Sequence, residues 1–444
     1  MIERCLVNRL LALGPLAVLG LCLPFAAAQD SHQIDIESFE QVWKTVREKH
    51  WDPALGGLDW EAVHREFRPR IERAQSTAEA RDLMNEMLAR LGQSHFAVVP
   101  SVIYHELSDD RTEGSDYPAG IGETGIDLRV LDGRAIVTRV DPGSPADAGG
   151  IRPGWEVVEV RGRELSPVID RVRNSYRDSS LLDLHLRRAV LARMTGDIGE
   201  KLAVEFGDGS GTPVSVSLPL SRPRGNRTEF GYLGSRFVWF ETRKLEGDIG
   251  YLAFNFFLDP SRLVPEFGKA VLSCQQCAGL VIDLRGNPGG IGAMSMGMAG
   301  WLISRPDQRL GTMYMRSMPL KFVIIPRAQT YDGPLAVLVD GCSASTSEIF
   351  AGGLQDLGRA RVFGTRTAGA ALPSVFERLP NGDGFQYAVA NYISEGGKPL
   401  EGRGVTPDAV AEPTRRALLE GHDAALDAAV AWIRKKGRSV AGEP

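Results

Sequence analysis

From about residue 228 to the C-terminus, short apolar runs alternate with helical patterns, and this alternation limits the fold more than any other feature of the chain. "IGYLAFNFF" (249–257) reads as a strand, "RLVPEFGKAVLSC" (262–274) as a helix and "AGLVIDLRG" (278–286) as a strand. "GAMSMGMAGWLIS" (292–304) reads as a helix, "PLAVLVD" (334–340) as a strand, "SEIFAGGLQDLG" (347–358) as a helix and "ARVFGT" (360–365) as a strand. Such an order predicts a parallel α/β sheet with crossover helices. Sites in such sheets gather at the carboxyl ends of the strands. Three glycine- or hydroxyl-rich segments fall there: "RGNPGG" (285–290), "GCSASTS" (341–347) and "GTRTAGAALPS" (364–374).

At 444 residues the chain is too long for one ordinary core, and two to four domains are expected. Residues 37–92 carry helical spacing, with Phe39, Val42, Trp43 and Val46 on one face and Gly92 as a terminator. Residues 118–222 are β-rich, with a strand pair turning at Asp132-Gly133 and a closing hairpin at 201–222. A helical stretch at 178–196 interrupts that segment. The expected divisions are a signal peptide at 1–28, a helical domain at 29–117, a β-rich domain at 118–222 and an α/β core at 223–444. The leader reading rests on Arg4 and Arg9, an uncharged run from Leu10 to Pro24, and Ala26 and Ala28 at small-residue cleavage positions. It implies a periplasmic or secreted protein.

A formal net charge of -5 carries no basic stripe, which argues against a nucleic-acid partner. Metal spacing is absent, since there is no H-E-x-x-H and no Cys/His cluster, so no metal or other cofactor is expected. "CQQC" (274–277) reads as a helix end whose thiols are either free or bridged.

Ser345-Thr346-Ser347-Glu348 fits the S-x-x-E capping box, which by itself needs only a helix start. The same place suits a nucleophile. A strand-to-helix turn would hold the hydroxyl at the end of the sheet, where the helix N-terminus offers unpaired N–H groups to an oxyanion. Read locally, both meanings stay open.

Taken together, "GLVIDLRGNPGG", "VLVDGCSASTSEIFAGGLQDLGRARVFGTRTAG" and "LEGRGVTPD" resemble the C-terminal processing peptidase and tricorn family of serine proteases. The resemblance implies a multidomain α/β fold: a crotonase/ClpP-like protease core with a PDZ domain and an N-terminal helical domain. It implies that Ser345 is the nucleophile. The serine–lysine branch of the family carries its base 25 residues further on, and position 370 here is alanine. The tricorn-like branch instead points to His95 and Ser94 in "LGQSHF" and to Glu401 in "LEGRGVTPD". His95 would be the general base, with Ser94 and Glu401 orienting it. Among the other histidines, His105 is the nearest competitor. The expected oxyanion donors are the N–H groups of Thr346 and of Gly289 or Gly290. In the segment 118–222, the string "SPADAGGIRPGW" and its flanking strands resemble a PDZ domain. Thr124, Gly125, Ile126 and Asp127 would then receive the end of an extended peptide. The implied function is an exported serine endopeptidase acting on protein or peptide substrates. Two other readings stay open: a catalytically silent peptide- or ligand-binding protein, and a Ser–Lys peptidase using Lys398.

Overall fold

The computed structural model describes residues 23–100, 121–177, 179–229 and 235–440. Most of the expected leader (1–22) and His105 lie outside these residues. A helix, α1, already begins at Leu23 and runs to Lys49. It packs with α2 (Trp60–Ile71) and α3 (Thr77–Ala89). Asp59 and Ser76 cap α2 and α3, accepting the N–H groups of Ala62 and Glu79. The expected apolar stripe closes this cluster: Phe39, Val42 and Val46 are fully buried against Phe67, Ile71 and Met84. The cluster is not self-contained, because Leu379, Phe385 and Tyr387 from far along the chain complete it. After α3, β1 (Ala97–Val99) runs antiparallel to a strand at 384–388.

The next segment is an antiparallel sheet of β2 (Ile126–Leu131), β3 (Arg134–Val140), β4 (Glu156–Val160), β5 (Lys201–Gly207) and β6 (Pro213–Pro219), in that order. The β2–β3 turn is the expected one: Asp132 and Gly133 both have positive φ, 49° and 81°, as a two-residue hairpin loop requires. Between β4 and β5 lie α4 (Ser166–Ser175) and α5 (Leu182–Leu191). Leu186 and Val190 of α5 are buried in the core of this unit.

The C-terminal half is built on a six-stranded sheet. It contains β7 (Phe240–Leu245), β8 (Ile249–Phe254), β9 (Gly279–Asp283), β12 (Leu335–Val339), β13 (Arg361–Gly364) and β17 (Ala409–Val410), in that order. All neighbours are parallel except β7, which pairs antiparallel with β8. Every residue of β8, β9 and β12 is buried, because both faces are covered. Leu252, Phe254, Leu280, Ile282, Val337 and Val339 face α6 (Pro260–Ser273), α7 (Gly292–Ala299) and α8 (Thr346–Asp356). Tyr251, Ala253, Val281, Ala336 and Leu338 alternate with them and face α9 (Ala424–Val440).

Two small antiparallel sheets, which apolar periodicity did not reveal, flank this one. The first is β11–β10–β16, from β10 (Arg309–Met315), β11 (Pro319–Val323) and β16 (Ala390–Ser394). The second is β1–β15–β14, from β14 (Ser374–Arg378) and β15 (Gly384–Ala388) with β1. The second sheet fastens the N-terminal helices to the core.

The CQQC thiols are bridged: Cys274 and Cys277 form a disulfide, and Cys342 is a buried free thiol. The bridge closes a very short loop, so its removal in a Cys274→Ala/Cys277→Ala variant is expected to cost about 2 kcal/mol in urea denaturation.

Candidate active site

Ser345 lies between β12 and α8 with φ 55° and ψ −118°. An ordinary N-cap residue is extended, so this is a sharp, strained turn of the kind that lifts a side chain out of the sheet edge. The neighbouring hydroxyls are all committed to the segment after β9. Ser343 Oγ donates to the Leu284 carbonyl at 2.8 Å, Thr346 Oγ1 to the Gly290 carbonyl at 2.8 Å and Ser347 Oγ to the Asn287 carbonyl at 2.9 Å. Ser345 Oγ is not among these bonds. Its backbone N–H is held twice, by the Ala370 carbonyl at 2.9 Å and by Glu348 Oε2 at 2.9 Å. Glu348 therefore does close the box that the sequence suggested.

The glycine segment lies directly against this turn. A Cβ on Gly289 would stand 2.8 Å from Ser345 Cβ and 2.8 Å from the Thr346 nitrogen, and its φ is 97°. The Gly289 N–H is already used, donating to Asn287 Oδ1 at 2.9 Å. Asn287 is fully buried and donates in turn to the Phe254 carbonyl. Among the described residues, the N–H groups of Gly290 and Thr346 have no acceptor. Of the two glycines left open by the sequence, Gly290 is thus the one with a free donor. Gly289→Ala is expected to displace the serine and lower kcat about 100-fold in a peptide-hydrolysis assay, with the circular dichroism spectrum unchanged.

His95, Ser94 and Glu401 meet despite their separation in sequence. Ser94 Oγ donates to Glu401 Oε2 at 3.0 Å and lies 2.6 Å from His95 Nδ1. Because the hydroxyl proton goes to the carboxylate, Nδ1 must carry the hydrogen in that bond, and Nε2 keeps its lone pair. Glu401 also accepts the N–H of Ser94 at 2.6 Å and of Ala371 at 3.2 Å. His95 has a positive φ of 63°, uncommon for a residue with a side chain. Burial pushes its imidazole down to about 4 and raises the Glu401 carboxyl. The ring is neutral at physiological pH, as a proton acceptor must be. The serine and the relay share one stretch of backbone: Ala370 holds Ser345, and Ala371 holds Glu401.

The competing groups are placed elsewhere. Position 370 is a buried alanine, Lys398 is exposed, and both ring nitrogens of His50 are bonded, to Asp52 and Gln93. Among the described residues no His/Cys/Asp/Glu cluster could hold a metal ion.

Thr124, Gly125, Ile126 and Asp127 line a cleft of about 350 Å³ with Leu191 and Met194 on one side and Phe256, Gly286 and Pro288 on the other. Thr124 and Asp127 are buried. Oδ1 of the Asp127 carboxylate accepts from Arg187 Nε at 2.7 Å and from Arg129 Nη1 at 3.1 Å. Burial acts to raise it, but Arg129, Arg187 and Arg139 more than offset this and hold it well below the usual carboxylate range. Arg129 continues to Asp340, which accepts its Nε at 2.7 Å. Asp340 also accepts the N–H groups of Gly286 and Cys342. An ionic chain thus ties β2 to the neck of the serine turn. Sequence reading missed Arg129, Asp340 and Asn287, and nothing in their spacing distinguishes them from surface polar residues. Leu181 and Leu184, around the start of α5, pack on Ala344, Ala368 and Ala370.

Residues 248–411 match Peptidase family S41, and residues 36–89 match the Tricorn protease C1 domain. Residues 248–411 are thus similar to the serine-type peptidases of family S41. The chain is 28% identical over 418 residues to "Putative tricorn protease homolog 2" of Streptomyces coelicolor, covering 89% of the chain. It spans about a third of that relative's length, 32%. It is 27% identical over 406 residues to a carboxyl-terminal-processing protease of Picosynechococcus, covering 87% of each. The fold is similar to that of the photosystem II D1 C-terminal processing protease, with a TM-score of 0.56 at 24% identity over 88% of this chain and 98% of that one. It is also similar to mature CPAF, with a TM-score of 0.59 at 15% identity over 93% and 97% of the two chains. Both likenesses concern the mixed α/β protease fold. No described helix is long and apolar enough to cross a membrane.

Proposed function

We propose that the protein is an exported endopeptidase of the S41 type that hydrolyses peptide bonds through Ser345, with His95 as general base and Ser94 and Glu401 behind it. One observation carries this reading: the Glu401–Ser94–His95 chain fixes Nδ1 as a donor and leaves Nε2 as the acceptor, while the same backbone stretch holds Ser345. Ser345 Oγ attacks the scissile carbonyl carbon as its proton passes to Nε2. The oxyanion formed is held by the N–H groups of Gly290 and Thr346. His95 returns the proton to the leaving amine, and water then cleaves the acyl-serine by the same route. The segment 118–222 serves as a PDZ domain that takes an extended peptide on the edge strand β2, with Thr124–Asp127 at the peptide's end. The helical domain spans 29–117 and the catalytic core 223–444, and residues 1–28 are a leader that directs export to the periplasm or beyond.

A fluorophosphonate probe tests this directly. Labelling is expected in the wild type and in Lys398→Ala, and is expected to vanish in Ser345→Ala and His95→Ala. A chain that takes no label under any condition is a binding protein, and labelling that needs Lys398 but not His95 makes it a Ser–Lys enzyme.

A further inference from the structure

Glu348 does more than a capping glutamate has to do. A capping box needs one bond back to the N-cap N–H, and its glutamate ordinarily stands at the surface. Here the carboxylate is fully buried and accepts four hydrogen bonds. Oε1 takes Thr367 Oγ1 at 2.6 Å and the Gly369 N–H at 2.7 Å. Oε2 takes the Ser345 N–H at 2.9 Å and the Ala370 N–H at 3.0 Å. The Thr367 hydroxyl is fixed in turn, accepting the Val405 N–H at 2.6 Å. Every partner is a neutral donor, and no cation pays for the buried charge.

The arrangement has a wider geometry. Three consecutive N–H groups, those of Gly369, Ala370 and Ala371, are gripped by two carboxylates, Glu348 fully buried and Glu401 half-buried. Glu348 takes the first two and ties them to the serine. Glu401 takes the third and ties it to Ser94 and His95. Gly369 permits this because its φ is 68° and a Cβ there would lie 3.0 Å from the Arg403 nitrogen.

We propose that Glu348 is a positioning residue for the nucleophile: its ionised carboxylate clamps Ser345 N–H to the Gly369–Ala370 backbone and so sets the hydroxyl in register with the His95 relay. This rests on the reading of Ser345 and His95 as the reacting pair. Only an acceptor at all four positions satisfies the shell, so a protonated acid or an amide turns a hydrogen toward a donor. The groups facing Glu348 come from the α8 start (Ser345), the 367–370 loop and the loop backbone at Val405, whose N–H reaches it through Thr367. The nearest titrating member of the assembly is Glu401, beyond Ala371. Burial pushes the Glu348 carboxyl up to about 7, against the opposing pull of its four donors. The clamp is therefore charged and closed above about pH 7 and opens as pH falls through that value.

The test uses the full chain, a peptide substrate, and kcat and KM measured from about pH 4 to 9. Glu348→Gln is expected to lower kcat about 100-fold with KM nearly unchanged, the mark of a displaced reacting group. The wild-type acid limb near pH 7 is expected to disappear in this variant, leaving only the limb near 4 set by His95. An unchanged kcat, or a lowered kcat with the wild-type limb intact, overturns the proposal. If Glu348→Gln does not fold, Thr367→Val and Thr367→Ser decide. Valine removes one donor and is expected to lower kcat about 10-fold, and serine to keep most of the rate. Equal rates for the two overturn the clamp. Ser345→Ala and His95→Ala in the same assay separate the two levels. If they remain active, the reacting pair is wrong. If they are dead while Glu348→Gln matches the wild type, only the clamp is wrong.

Discussion

Ser345→Ala is expected to lower kcat/KM for a peptide substrate by at least about 10⁴-fold, and His95→Ala by a similar factor. On the proposed mechanism the double variant should be no worse than either single one, because two groups acting as a unit are already disabled by the loss of one. Glu401→Gln should fall between these and the wild type. Its amide has only one acceptor oxygen for the bonds now made to Ser94 and Ala371, so the Ser94 hydroxyl turns and the imidazole loses its fixed tautomer. Steady-state kinetics on these four variants checks the order. A His95→Ala enzyme with near-wild-type kcat would remove the base from the mechanism and leave Ser345 without a proton acceptor.

Arg129→Met should produce the largest loss of stability of any single change discussed here, about 3–5 kcal/mol in urea denaturation. The guanidinium lies between two largely buried carboxylates, Asp127 and Asp340, with side-chain exposures of 12%, 9% and 15%. Removing it leaves Asp340 without its cationic partner, and Asp127 with one direct ion pair, to Arg187, and the more distant Arg139. The variant should also be slow. Asp340 anchors the Gly286 and Cys342 N–H groups and the Ser343 hydroxyl, so its movement disturbs both the glycine segment and the serine turn. The pH dependence follows from the sign of the shift. The folded-state pKa of Asp127 lies below its unfolded value, so its contribution is complete at neutral pH and is lost only as pH falls below the ordinary carboxylate range. If Arg129→Met unfolds at the wild-type urea concentration, the ionic chain is not what joins β2 to the serine turn.

Much of the core could be read along the chain because its signals are local. β8, β9, β12 and β13 fall inside the apolar runs, α7 falls inside its helical pattern, and α6 and α8 overlap theirs, starting slightly earlier. The Asp132–Gly133 turn could be read for the same reason, since few residues adopt positive φ in succession. The parts of the candidate site were legible as separate strings: the serine turn, the glycine segment, Ser94-His95 and Glu401. Their joint use was not. Ser94 and Glu401 are 307 residues apart, and β1 meets β15 across a similar gap. Glu348 looked like half of a capping box because its bond to Ser345 is local, while its bonds to Thr367, Gly369 and Ala370 are not. Arg129 gave no sign at all, since an arginine on an amphipathic strand normally points to water.

The order of residues alone determined the parallel sheet, the positions of its crossover helices, and which side chains were available for chemistry at the strand ends. These depend on periodicity and on backbone preferences that act over a few residues. Tertiary structure alone decided that Gly290 rather than Gly289 keeps a free N–H, that His95 keeps Nε2 rather than Nδ1 as the acceptor, and that two distant carboxylates share one three-residue stretch of backbone. Hydrogen-bond satisfaction is settled only when distant segments are packed together, because each buried donor takes whichever acceptor the fold brings to it.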